Sequence, residues 1–263
     1  MTDKDTIKIK AHNATYYIHR DFAADQVFVC SVPRRMVNGE GDVLHAGRNE
    51  VRRFEEDGLQ MVVKRYKRVN LVQSVIYSFF RRTKAQRAYD YARVFRERGI
   101  DTPREVAYIE QREHGLFTTG YFISLYCPHP PIFKEIVETS ELNKRLADAV
   151  TAFILEMHRK GILHGDLNFG NFLYDEQADG SIRFAVIDIN RSHFCTGMPT
   201  REQCLRNLST TTHRRDLYEY IVRCYARLRG WNEDDACTEA LGYLEALEEK
   251  QRAKDRLKHK LKK

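Results

Sequence analysis

Ile162-Leu163-His164-Gly165-Asp166-Leu167-Asn168-Phe169-Gly170-Asn171-Phe172-Leu173 is the densest stretch of the chain, with polar side chains pinned between apolar ones. Downstream, Ala185-Val186-Ile187-Asp188 delivers a second carboxylate at the end of an apolar strand. This layout suits phosphoryl transfer. That chemistry needs an Asp to accept or orient the acceptor hydroxyl's proton, and a neutral Asn with a second Asp to hold Mg²⁺ on nucleotide phosphates. Asp166 and Asn171 lie five residues apart across a short loop, and a hairpin from Asn171 to Asp188 returns the second carboxylate beside them. Singly, each residue would be read as a turn former or helix cap. Together, after a helix and between apolar strands, they specify a site.

Working outward, Leu142, Leu146, Val150, Phe153 and Met157 advance by four, four, three and four, the stripe of a core helix that ends at Lys160-Gly161. Phe172 to Tyr174 and Arg183 to Ile187 read as strands around the turn Asp179-Gly180. Leu217, Ile221, Cys224 and Leu228 mark a further helix, and the remainder is helical and increasingly charged. Upstream, strands are expected over Gln26 to Val32, Asn49 to Glu55 and Leu59 to Tyr66, the last two joined by Asp57-Gly58, a hairpin signal. Lys84 to Arg98 switches to helical spacing, with Ala88, Tyr91, Ala92 and Phe95 on one face. Strands resume at Glu105 to Glu110 and Leu116 to Tyr126, then stop at Cys127-Pro128-His129-Pro130-Pro131, where prolines forbid sheet pairing. The expectation is an α+β, bilobal chain, with a strand-rich lobe over 1–126 and a helix-rich lobe over 127–263.

Composition sets the outer bounds. A hydrophobic share of 42% and an aromatic share of 11% supply a packed core and exclude a disordered chain. The six cysteines form no CxxC pair, so no zinc or disulfide framework is signalled, and free thiols in a reducing cytoplasm are expected. Met1 to Lys10 is polar and unlike a signal peptide, and no apolar run is long enough to span a bilayer, so a soluble or peripheral protein is expected. The net charge of +7 favours anionic partners. Its distribution is uneven: no acid occurs between Asp57 and Asp90, and the tail from Arg252 to Lys263 carries seven cations against Asp255. No nucleic-acid recognition motif accompanies these runs, so no nucleic-acid partner is expected. Val72 to Phe80, aromatic and flanked by Lys67-Arg68 and Arg81-Arg82, suits either an anionic membrane surface or the packing of a lobe-linking helix.

On His164 to Leu173 and Asp188-Ile189-Asn190, the chain resembles the protein-kinase-like superfamily, and more closely its lipopolysaccharide core kinases of the Kdo/WaaP type. The resemblance covers roughly Leu44 to Asn190. It implies a protein-kinase-like bilobal fold, use of ATP and Mg²⁺, and phosphorylation of an inner-core sugar hydroxyl, Kdo above all, at the inner face of the inner membrane. Carried over by motif, Asp166 matches the catalytic Asp, Asn171 and Asp188 the metal ligands, and Lys64, ending the apolar run Met61-Val62-Val63, the phosphate-binding lysine. Gly47-Arg48-Asn49 resembles a reduced phosphate loop, and main chain from Leu125 to Cys127 would meet adenine.

The departures are specific. Gly39, Gly41 and Gly47 do not have the Gly-x-Gly-x-x-Gly spacing, and Asn190 stands where a protein kinase has glycine. The acid partner of Lys64 is assigned to Asp90, with Glu97 near the end of the same helix. His164 is read as a brace for the backbone, and His158, His193 and His213 have no metal-ligand spacing. An aminoglycoside- or choline-type phosphotransferase shares the His-Gly-Asp loop and is the nearest alternative, followed by an atypical protein kinase. A pseudokinase scaffold is the alternative outside the enzymes, opposed by the intact Asp166, Asn171, Asp188 and Lys64.

Overall fold

The computed structural model describes residues 5–260. They divide into two compact units, one ending at Pro128 and the other starting at His129. The combination of an antiparallel sheet with a helical second unit is the expected α+β architecture.

The first unit is built on seven strands: β1 (Thr6–Lys10), β2 (Ala14–His19), β3 (Asp42–Ala46), β4 (Glu50–Glu56), β5 (Leu59–Arg65), β6 (Glu105–Glu113) and β7 (Leu116–Leu125). They form one sheet in the order β1-β2-β6-β7-β5-β4-β3, with every neighbouring pair antiparallel. The Asp57-Gly58 turn closes the β4–β5 hairpin with both residues at positive φ, the conformation that tight hairpin turns demand.

Three helices accompany the sheet: α1 (Gln26–Val37), α2 (Leu71–Phe79) and α3 (Lys84–Glu97). The β-branched run at Gln26 to Val32, expected as a strand, is the start of α1. Phe28, Val29, Val32 and Met36 recur at helical spacing and are buried against Ile18, Phe54, Met61, Val63 and Ile123 of the sheet, so tertiary burial overrides strand propensity. Pro33 is accommodated inside this helix. Ala85 and Tyr89 of α3 pack with Tyr66 and Tyr108, and Tyr108 stacks on Tyr17 at 4.2 Å. Tyr89 takes the core position that the spacing assigned to Tyr91, which is only half-buried. Thr83 caps α3 and donates its hydroxyl to buried Glu110 at 2.9 Å.

The second unit contains α4 (Phe133–Ile136), α5 (Lys144–Arg159), β8 (Ile162–Leu163), β9 (Phe172–Glu176), β10 (Ile182–Val186), β11 (His193–Phe194), α6 (Arg201–Leu208), α7 (Arg215–Arg229) and α8 (Glu233–Lys260). The helices bury Leu146, Val150 and Met157 of α5, Leu217, Ile221 and Tyr225 of α7, and Ala236, Ala240 and Leu244 of α8. Gly230 ends α7 at φ 66°, a left-handed cap that costs glycine nothing sterically. Two short ladders, β9 with β10 and β8 with β11, carry the motif residues at their ends.

All six cysteines are free thiols. No helix among the described residues is long and apolar enough to cross a membrane. Along α8, Arg252, Lys254 and Arg256 are exposed. The side chains of Lys258 and Lys260, residues 261–263 of the expected basic tail, and residues 1–4 of the polar N-terminus lie outside the described residues.

Ile123 is fully buried in the centre of the first unit's sheet. Ile123→Ala is expected to destabilise that unit by about 2–5 kcal/mol, through lost transfer energy and the cavity left behind. A lower urea midpoint at unchanged slope is the expected reading.

Candidate active site

The polar loop between β8 and β9 is fixed by three kinds of contact. His164 is fully buried; its Nδ1 accepts the Asp166 amide at 3.2 Å, and its Nε2 lies 3.0 Å from the Ile187 carbonyl. The first contact requires a bare Nδ1, so Nε2 carries the proton and donates. Burial lowers the pKa of the ring and keeps it neutral. The brace expected of His164 therefore runs from the loop to the end of β10. Gly165 is required by close approach, because a Cβ there would overlap the backbone carbonyl of Arg191.

Asp166 is held from both sides. Asn168 donates to its Oδ1 at 2.8 Å, and Arg191 reaches its Oδ2 at 3.4 Å. Asn171 spends its amide nitrogen on the Asp166 carbonyl at 2.8 Å, which leaves Oδ1 as the atom available to a cation. The Asn171 carbonyl accepts the Ile187 amide at 3.0 Å, tying the start of β9 to the residue before Asp188. Asp166, Asn171 and Asp188 are thus gathered by one loop and one hairpin.

Asp188 adopts φ 57°, ψ 37°, a left-handed conformation uncommon for a residue with a Cβ and characteristic of sites where geometry is imposed by surroundings. Asn190, almost wholly buried, donates to Asp188 Oδ1 at 2.5 Å. This bond orients the carboxylate. An Asn amide oxygen and an Asp carboxylate are hard-oxygen donors of the type magnesium uses when phosphate oxygens and water complete its shell. The residues present therefore fit the expected metal. Among the described residues no group of three His, Cys, Asp or Glu side chains forms a self-sufficient metal cage.

Behind the loop runs a relay that local sequence did not signal. Asn207 donates to the His164 carbonyl at 2.6 Å and accepts from His158 Nε2 at 3.0 Å, while His158 Nδ1 meets the Tyr225 hydroxyl at 2.8 Å. Thr210 receives the Leu167 amide at 3.2 Å. These partners arrive from α5, α6, α7 and the turn after α6, so spacing along the chain gives no hint of them. Arg191 and Asn168 were nearer to hand, one beside Asn190 and the other inside the motif.

In the first unit, Lys64 lies on β5 between Val63 and Arg65, and its Nζ is 5.5 Å from the Tyr66 ring centroid. Met61 and Val63 enter the core against α1, so alternation puts Lys64 on the face that carries α3. Asp90, expected to pair with Lys64, forms its ion pair with Arg82 at 3.1 Å, and burial raises its pKa against the opposing pull of Arg82. Glu97 pairs with Arg93. Gly47-Arg48-Asn49 forms the exposed turn between β3 and β4, and the Asn49 side chain accepts the Lys67 amide at 3.2 Å. A cleft of about 740 Å³ opens beside this turn, lined by Arg48, Arg65, Lys67 and Arg68 with Glu50 and Glu113, but not by Lys64. The amides of Leu125 and Tyr126 donate to the Arg104 and Gln60 carbonyls at 2.8 Å each. An adenine at this strand end would therefore need other main-chain groups, such as those of Cys127.

Comparison with known proteins identifies the relatives of this chain. The model of the lipopolysaccharide kinase (Kdo/WaaP) family matches residues 35–220. A 3-deoxy-D-manno-octulosonic acid kinase of Vibrio vulnificus is 29% identical over 120 residues, covering 44% of this chain and 50% of the relative. One from Vibrio cholerae is 23% identical over 154 residues, covering 57% of this chain and 63% of the relative. The matches thus span about half to under two thirds of the length of these relatives. Among solved structures, "WaaP in complex with acyl carrier protein" aligns at TM-score 0.55 and 19% identity, over 88% of this chain and 96% of the other. At that identity the likeness establishes a shared kinase-like fold.

The His158 relay gives a pH dependence. Burial lowers the pKa of His158 from 6.5 to about 4, so the unfolded chain takes up a proton that the folded one refuses. Stability from this group is complete above pH 6.5 and is lost as pH falls from there toward about 4. The integrated effect is roughly 3 kcal/mol. Denaturant midpoints measured between pH 7 and pH 4 should fall more steeply for the wild type than for His158→Gln.

Proposed function

The chain belongs to the lipopolysaccharide kinase (Kdo/WaaP) family, and from that premise we propose that it transfers the γ-phosphate of ATP to a sugar hydroxyl of the lipopolysaccharide inner core, that of Kdo in the first instance. The observation that carries this reading is the convergence of Asp166, Asn171 and Asp188 on one loop and one hairpin end, with hydrogen bonds that fix all three. Asp166 would hold the acceptor hydroxyl and receive its proton, with Asn168 and Arg191 setting the carboxylate's direction. Asn171 Oδ1 and Asp188 would hold Mg²⁺, which supplies neutralisation of phosphate charge when bound. Lys64 would position the nucleotide phosphates, the Gly47-Arg48-Asn49 turn would cover them, and main chain up to Cys127 would receive the base.

Catalysis on this reading is mainly positioning and charge stabilisation. The nucleotide lobe corresponds to 1–126 and the acceptor lobe to 127–263. The glycolipid acceptor places the enzyme at the cytoplasmic face of the inner membrane as a peripheral protein. The full activity, including the sugar and the hydroxyl chosen, rests on the family and on this site.

With Mg·ATP and a Kdo-bearing lipid A precursor, Asp166→Ala is expected to lower transfer by about a thousandfold while leaving nucleotide affinity close to wild type. Near wild-type turnover in this variant would refute the assignment. Asp188→Asn should instead raise the Mg²⁺ concentration needed for half-maximal activity, and Lys64→Ala should raise the KM for ATP.

A further inference from the structure

Helix α2 is inside out. Its small polar residues face the protein: the Ser74 hydroxyl donates to the Phe117 carbonyl from a buried position, and Ser78 Oγ accepts the Phe117 amide at 2.8 Å. Tyr77 packs edge-on against the Phe117 ring. The opposite face carries Leu71, Val72, Val75, Ile76, Phe79 and Phe80, an i, i+1, i+4, i+5, i+8, i+9 stripe. Leu71 is 73% exposed, Phe79 69% and Phe80 81%. A contiguous apolar patch of this kind on a folded surface marks an interaction site, and here the packing that covers serines in place of phenylalanines leaves the whole apolar face to a partner.

The charges around the stripe select the partner. Lys67 and Arg68 precede the helix, Arg81 and Arg82 follow it, and no acid occurs between Asp57 and Asp90. Arg68 is paired with Glu113 and Arg82 with Asp90, whereas Lys67 and Arg81 are exposed without a carboxylate partner among the described residues. Arg48 extends the basic surface, because the Lys67 amide is bonded to Asn49 on the same turn. A second copy of this chain would bring the same cations against these. An anionic bilayer offers apolar depth for the stripe and phosphate for its ends.

We propose that α2 is a membrane-docking helix that inserts Phe79 and Phe80 below the headgroups of an anionic bilayer, with Lys67 and Arg81 on lipid phosphate. Binding rests on this surface alone. Only its use, delivery of the site to a glycolipid acceptor, rests on the proposed function.

The test is flotation of the full chain with equimolar phosphatidylethanolamine–phosphatidylglycerol vesicles, and separately with phosphatidylcholine vesicles. The wild type should float with the first, lose binding as salt rises, and bind the second weakly. Phe79→Ser/Phe80→Ser alters only exposed side chains and should keep the wild-type thermal midpoint while losing vesicle affinity by about tenfold or more. Lys67→Gln/Arg81→Gln should weaken binding to the anionic vesicles and leave the apolar stripe intact. Unchanged flotation of the phenylalanine variant overturns the proposal. So does a wild type that ignores vesicles, including one that forms dimers dissociated by the same substitutions. Phosphorylation of a soluble sugar acceptor should be equal in wild type and the phenylalanine variant. A wild type that phosphorylates the soluble acceptor but does not float with anionic vesicles would thus strike this inference alone, and a wild type that floats but transfers no phosphate would strike the functional reading alone.

Discussion

The donated proton of His164 Nε2 joins the loop of Asp166 to the strand end of Asp188 across 23 residues of chain. Both carboxylates take their places from it. The same ring accepts the Asp166 amide on its other nitrogen, so the imidazole must be neutral and in a single tautomer. Burial enforces the neutrality, because a charged ring inside the unit would lose its hydration. The relay through Asn207, His158 and Tyr225 then fastens the loop carbonyl to the helical core. A fully satisfied buried network of this sort rigidifies what it touches.

Rigidity of that origin explains how strain is tolerated nearby. The left-handed conformation of Asp188 is unfavourable in an isolated peptide, and the close approach of Gly165 to the Arg191 backbone leaves no room for a side chain. They persist because β9, β10 and the β8–β11 ladder hold the flanking residues. Asn190, where a glycine would leave the carboxylate free to rotate, adds a hydrogen bond that fixes Asp188 from the side. At this departure from the protein-kinase pattern the Asp188 carboxylate is thus oriented directly by a neighbouring side chain.

The first unit meets a different constraint. A seven-stranded sheet with apolar residues on both faces must be covered twice, and α1 and α3 do so. Alternation along β5 then sends Met61 and Val63 toward α1 and Lys64 the other way. Helix α2 stands apart from this scheme, because its side-chain hydrogen bonds to Phe117 at the start of β7 are made by serines and its apolar residues remain outside.

Local patterns in the sequence set elements in both units. Helical stripes over α5 and α7, the Asp57-Gly58 hairpin, and the order His164, Asp166, Asn171, Asp188 are local patterns, set by periodicities of 3.6 and 2 and by turn preferences. The tertiary structure decided what depends on distant partners. It made a helix of the β-branched Gln26 to Val32, because burial of Phe28, Val32 and Met36 outweighs a propensity difference of at most about 1 kcal/mol. It gave Asp90 to Arg82, brought Asn207 and His158 behind the loop, and turned the apolar face of α2 outward. None of these could be read from spacing, since each is settled by which surfaces the folded chain brings together.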